Sequence, residues 1–255
     1  MNGLHIFIHS VRQVFGNLKD ALRVSAVLWL LYIVDYVWAF SDMFDVAMML
    51  ETGQMTEVPE GLITRFLVGS VIAFLIAFWI AVSWHRFVLL DEKPKHLVPA
   101  LHLNLVLSYL KRSLGLAVIG ILGAVVAMIV IGLSIGMLFA PVMYITPFVL
   151  LIALSYLFYR VSPILPAAAL GEPFTLSDAM GVTKPYAAAI FQASLLVFVF
   201  GYLVNAVSAP VLSVFADGSL VQVTLSGAVS WITFMVSISV LTTIYGVAVE
   251  ERSLV

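Results

Sequence analysis

Residues 66–84 read FLVGSVIAFLIAFWIAVSW, nineteen positions without one charged side chain. As an α-helix this run rises about 28 Å, close to the ~30 Å hydrocarbon thickness of a bilayer. Five further runs have the same character: approximately Val24–Phe40, Leu114–Leu138, Val142–Phe158, Tyr186–Ser208 and Leu220–Val247. Pro141 separates the third span from the fourth and implies a tight turn between them. The expected fold is an all-α, polytopic transmembrane helical bundle of six spans, a single membrane domain over residues 1–255.

Composition supports that reading across the whole chain. Of 255 residues, 63% are apolar and 10% are charged, against about 45–50% and about 25% in ordinary soluble domains. Mean hydropathy is +1.13. A soluble chain of this length buries roughly three quarters of its surface, which is too little to hide this much apolar side chain. Soluble enzymes, nucleic-acid-binding domains and disordered chains are excluded. The net charge of −2 gives no basic field for nucleic acid. The chain has no cysteine, so disulfides, thiolate metal sites and cysteine nucleophiles are excluded as well.

The first 23 residues are expected to form an amphipathic segment rather than a cleavable signal, because His5, His9, Arg12, Lys19 and Asp20 interrupt the apolar stretch and no A-x-A-like site follows. Leu4, Ile8, Val11, Phe15 and Leu18 recur at helical spacing, and Arg12, Lys19 and Arg23 flank that stripe. Such a helix lies on the cytoplasmic face. With the N-terminus inside, eleven of the twelve Lys and Arg residues fall on the cytoplasmic side and only Arg65 outside, opposite the acidic loop of Asp42, Asp45, Glu51, Glu57 and Glu60. Both termini are therefore expected in the cytoplasm. Trp38, Trp84, Tyr156, Tyr159 and Tyr186 mark the expected membrane edges.

The chain divides into three units, each an inner-face segment (Met1–Arg23, His96–Arg112, Phe174–Lys184) followed by an out-and-back pair of spans. Identity between the units is at chance level, and alternating loops give this look to any six-span protein.

Chemistry-bearing residues are few. No hydrolase elbow, P-loop, zincin, Rossmann or kinase motif is present, so no catalytic residue, metal ligand set or cofactor is assigned. Asp35 is the one carboxylate well inside a span, where a charge costs about 2.5–3.5 kcal/mol. It reads either as a proton- or cation-coupled site or as a paired or hydrated group near the outer interface. His5 and His9 stand four apart but lack a third ligand. Arg86 and Arg160 end their spans and read either as binders of an anionic lipid headgroup or as ordinary anchors. Pro163 and Pro166 stop or bend the fourth span, either as a hinge or as a packed reentrant corner. Thr175-Leu-Ser-Asp178 reads as a capped short helix. Gly132-x-x-x-Gly136 is a close-packing pattern. Asn205, Thr224, Ser226, Ser230 and Thr233 read as interhelical hydrogen bonders, Asn205 being also a ligand candidate.

Three stretches, VFGNLKDALRVS (14–25), SWHRFVLLDEKP (83–94) and YRVSPILPAAALGEPFTLSDAMGVTK (159–184), together resemble a group of uncharacterised six-span inner-membrane proteins of Gram-negative bacteria. That group is distantly similar to YciC-like proteins and to the membrane domain attached to some glycerophosphodiester phosphodiesterases. The chain departs from it at Met180–Lys184, where members carry a Trp and an Arg or Asn. The resemblance implies a non-enzymatic inner-membrane protein, and it carries no catalytic residue over. The expected role is structural or accessory, in envelope or lipid homeostasis or membrane-complex assembly, with membrane lipids and another membrane protein as partners. The alternative is a transporter or permease for a small or lipid-like solute, which needs Asp35, Asn205 and Arg160 to converge on one cavity.

Overall fold

The computed structural model describes residues 2–40, 42–135 and 140–254, and among them every regular element is helical. In chain order the helices are α1 (Gly3–Gly16), α2 (Leu18–Phe40), α3 (Met43–Glu51), α4 (Leu62–Leu90), α5 (Leu103–Ile135), α6 (Ala140–Val161), α7 (Ile164–Leu170), α8 (Leu176–Thr183), α9 (Ala187–Leu212) and α10 (Leu220–Ala248). Six stretches are long and apolar enough to cross a membrane: α2, α4, α5 to Ile129, Thr146–Leu170, Leu176–Leu212 and α10. The chain is a multi-pass membrane protein. The turn expected between the third and fourth spans, and Gly136, lie outside the described residues.

Several elements begin or end where the sequence reading did not place them. Asn17 alone separates α1 from α2, its side chain donating back to the Gln13 carbonyl at 3.0 Å. The first spanning helix therefore starts at Leu18, and Lys19, Asp20 and Arg23 belong to its opening turns. The segment His96–Arg112 is not a separate inner-face helix: residues 91–102 form a loop, and α5 runs unbroken from Leu103. The expected capped helix is present as α8. Thr175 N–H donates to Asp178 Oδ2 at 2.9 Å, and Asp178 N–H donates to Thr175 Oγ1 at 3.2 Å, a reciprocal capping box.

Packing is concentrated at the end that carries the two termini, the 91–102 loop, α7 and α8. There α4 is buried from Ile80 to His85 and α10 from Val236 nearly without interruption to Val247, apart from Ser237. Toward the opposite end α5, α9 and α10 expose most of their side chains. α10 is the central helix, with the largest buried share of the six spans. α1 packs on α9 and α10. Its buried face is Gly3, Ile6, Ser10 and Val14; of the stripe read as apolar, Leu4, Ile8, Phe15 and Leu18 are exposed and Val11 is half-buried against the core. Gly3 approaches α9 so closely that a Cβ would overlap Ala189 O and Ala193 N, and its N–H donates to Gln192 Oε1 at 2.9 Å. Trp84 and Tyr159, expected at headgroup level, are buried in the bundle.

One of the two prolines marks a break in the fourth span: Pro163 stands between α6 and α7, whereas Pro166 lies inside α7. α6 ends at Val161, Pro163 caps α7, and α7 packs as a buried corner with Ile164 through Ala169 enclosed by α4, α5 and α10. Three consecutive alanines make this possible, since small side chains let neighbouring backbones approach. Gly171 closes the corner in the left-handed conformation, at φ 80°.

Candidate functional site

The polar side chains inside the bundle form a set of interhelical bonds centred on α10. Thr242 Oγ1 donates to its own helix at Ile238 O (2.9 Å), so its lone pair accepts from His85 Nδ1 at 2.8 Å. His85 Nε2 then accepts from Tyr109 OH at 3.3 Å, which ties α4, α5 and α10 into one directional chain. Ser239 Oγ donates to Gln13 Oε1 at 2.7 Å, and Ser10 Oγ and Thr243 Oγ1 lie 2.8 Å apart, fastening α1 to α10. Trp231 Nε1 donates to Ser25 Oγ at 2.8 Å, and Trp29 Nε1 to Gly227 O at 2.9 Å, fastening α2 to α10. These bonds account for the burial of the polar side chains that take part in them, each of which is paired with a neighbouring helix.

Arginines organise the corner. Arg86 Nε donates to Glu92 Oε2 at 2.7 Å and Arg86 Nη1 to Ala169 O at 3.2 Å, at the C-terminal end of α7. Arg112 bridges Ile164 O (2.9 Å) and Glu172 O (2.8 Å). Tyr245 OH donates to Glu172 Oε2 at 2.6 Å. Arg160 donates to Thr183 Oγ1, Tyr156 OH and Met180 O, each at 3.0 Å, and so holds α8 against α6. The guanidinium groups of Arg86 and Arg160 are thus directed into the protein. Arg112 was missed in the sequence, where Lys111-Arg112 reads as one more basic pair; only the covering α7 gives it two carbonyls to bridge.

Asp35 is buried on α2 beside Gly69 of α4, and its Oδ2 has no hydrogen-bond partner among the described residues. Asn205 is exposed on α9 and donates to Gly201 O of its own helix at 2.8 Å. Thr224 and Thr233 likewise bond within α10, to Leu220 O (2.7 Å) and Ser230 O (2.9 Å), so these residues are not the interhelical bonders the sequence suggested. Among the described residues, nothing lies within 4 Å of a Cβ built at Gly132. His5 and His9 line a cleft of about 610 Å3 with Arg12, Tyr186 and the C-terminal tail. Among the described residues no three His, Asp or Glu side chains are grouped to hold a metal ion.

A cleft of about 790 Å3 forms a groove between α4, α5, α6 and α10. Phe78, Leu116, Leu157, Phe234 and Leu241 give it an apolar wall. Along α5 it extends from Tyr109 to Ala124, about 22 Å at helical rise, longer than the ~15 Å of one hydrocarbon leaflet. Gly120 and Gly123 have no neighbour within 4 Å of a built Cβ, so the small residues of α5 keep the groove open. Its polar side chains, Tyr109 and Ser113, both sit toward the end of α5 that joins the 91–102 loop, and Ser113 Oγ is buried without a hydrogen-bond partner. Asp35 lies beside α4, Arg160 bonds to α8 and Asn205 bonds only within its own helix, and the three line none of these clefts.

Comparison with protein-family models, with curated proteins and with solved structures found no match.

Proposed function

We propose that this chain is a non-enzymatic membrane protein that holds a lipid acyl chain in the α4–α5–α6–α10 groove. In this reading it serves an accessory role in lipid homeostasis or membrane-complex assembly. Its membrane is the bacterial inner (cytoplasmic) membrane, and both termini are cytoplasmic. The groove carries the reading: it runs about 22 Å along α5, of which the stretch from Leu116 to Ala124, about 12 Å, is wholly apolar, it has a volume typical of ligand sites, and it is polar only at one end, as an amphiphile requires. The bacterial placement rests on the sequence resemblance, and the orientation on the positive charges of one side. The non-catalytic reading draws support from the buried polar groups, most of which are committed to joining helices. The dispersal of Asp35, Arg160 and Asn205 weighs against a coupled transport path.

The test is native mass spectrometry of the protein purified in mild detergent. The parent chain is expected to retain co-purified lipid. Gly120→Phe, which places a ring where nothing now lies within 4 Å, is expected to lose that lipid while keeping its thermal midpoint. Equal lipid retention by parent and variant overturns the reading.

A further inference from the structure

The loop that joins α4 to α5, residues 91–102, reads DEKPKHLVPALH and folds back over the bundle instead of projecting from it. Asp91 turns the chain in the left-handed conformation, at φ 53°. Glu92 then accepts from Arg86, and its other oxygen lies 2.8 Å from His102 Nε2, so the loop is pinned near both ends. Trp79 Nε1 donates to Ala100 O at 3.3 Å. Beneath the loop lies a cleft of about 360 Å3, bounded by Val24 of α2 and Ser83 of α4 and rimmed by Lys93, Lys95 and His96.

Three features of this cleft call for an anion with several acceptor oxygens. Ser83 is 8% exposed, and its Oγ has no hydrogen-bond partner among the described residues, although a serine inside a helix ordinarily donates to the preceding turn. A buried hydroxyl left in this state lacks an acceptor. Next, the rim is cationic. The carboxylate of Glu92 also lines the cleft, but it is matched by Arg86 and His102, while Lys93 shares only an exposed contact with Asp91 at 3.5 Å. No bond or ion pair involves Lys95 or His96 among the described residues. Finally, Leu97 (78% exposed) and Leu101 (50%) present apolar surface beside Lys93 and Lys95, the juxtaposition that suits a protein segment at an anionic membrane surface.

We infer that the cleft under the 91–102 loop binds the phosphate of an anionic phospholipid, with Ser83 donating from the floor and Lys93, Lys95 and His96 from the rim. The site lies on the α2 side of α4, whereas the acyl groove lies on the α5–α6 side, so the inference does not depend on the groove. A soluble phosphate ester shares the same headgroup chemistry. The apolar residues beside the rim assign the site to the lipid.

The experiment measures lipid retention by the full-length protein in detergent, offered phosphatidylglycerol, diacylglycerol or phosphatidylglycerol with millimolar glycerol 3-phosphate. The parent chain is expected to retain phosphatidylglycerol in preference to diacylglycerol. Lys93→Gln/Lys95→Gln, confined to exposed positions, is expected to weaken retention by about fivefold per lysine, and Ser83→Ala to weaken it several-fold without loss of the fold. The same comparison is run in the Gly120→Phe background, from which lipid held in the groove is expected to be gone: the preference for phosphatidylglycerol and its weakening in the cleft variants should persist there, which separates the site from the groove. Undiminished retention in both cleft variants, or equal retention of diacylglycerol, overturns the inference. Displacement of the lipid by glycerol 3-phosphate overturns the lipid assignment.

Discussion

Gly69 faces α2 where the two helices come closest, and a Cβ built there would overlap Ala39 and meet Asp35 Oδ1 at 3.6 Å. The absence of a side chain sets the helix separation at this point. Gly69→Ala is expected to lower stability by about 1–3 kcal/mol, because overpacking forces backbone displacement. Gly120→Ala, on the open side of α5, is expected to be neutral or stabilising by up to about 1 kcal/mol. Thermal unfolding of both variants in the same detergent checks the pair, and similar midpoints would remove the special role of Gly69. Neither glycine differs from the other in the sequence: each sits in an apolar run. Ser83 shows the same limit, since one hydroxyl among apolar residues carries no sign of whether a partner covers it. Asp35 was legible as an unusual residue because charge is rare within a span, but the element it faces was not.

At the scale of elements, the spans were readable because nineteen or more apolar residues have few alternatives in a bilayer. The buried face of α1 was not. Periodicity locates an apolar stripe by contrast with water, and within a bilayer the surroundings are apolar too. So Leu4, Ile8 and Phe15 face outward, and the face with Gly3, Ile6, Ser10 and Val14 packs. α7 illustrates what holds a corner that its own seven residues cannot stabilise as a helix. Arg112 bridges the carbonyls of Ile164 and Glu172 across it. Arg112→Met is expected to cost about 1–2 kcal/mol, the upper range for charged hydrogen bonds discounted for partial exposure. In the cysteine-free chain, Ala168→Cys reports directly: maleimide labelling should be slow in the parent background and fast with Arg112→Met. The 91–102 loop has a pH dependence of defined sign. Burial disfavours the Glu92 carboxylate, but hydrogen bonds from His102 and Arg86 outweigh it and hold the group below its ordinary value. A depressed carboxyl stabilises fully above its unfolded pKa, about 4.3, and the contribution is lost as pH falls through the lower folded value. A nitroxide at Leu97→Cys should therefore stay ordered from neutral pH to about pH 5 and gain mobility only below about pH 4. Glu92→Gln should be mobile at neutral pH, and an ordered nitroxide in that variant would show the loop is held otherwise.

For the whole molecule, charge and packing point to the same asymmetry. The end bearing both termini, α7, α8 and the 91–102 loop is where the helices hydrogen-bond to each other, and eleven of the twelve Lys and Arg residues fall on that side. The opposite end, with Asp42 paired to Arg65, exposes apolar helix faces that a bilayer solvates without requiring contact between helices. Packing alone gives no direction across the membrane. Direction comes from the cost of translocating Lys and Arg, which retains basic loops in the cytoplasm. Turning the molecule over would carry Lys93 and Lys95 of the loop and Lys111 and Arg112 of α5 across while retaining only Arg65. Thr52→Cys and Leu97→Cys, both at exposed positions, distinguish the two orientations in intact spheroplasts. An impermeant maleimide should label Thr52→Cys from outside and reach Leu97→Cys only after permeabilisation. Because the chain has no cysteine of its own, each signal comes from one site. The reverse pattern would place the 91–102 loop and its phosphate cleft outside, and mixed labelling of both sites would mean the charge asymmetry does not set a single orientation.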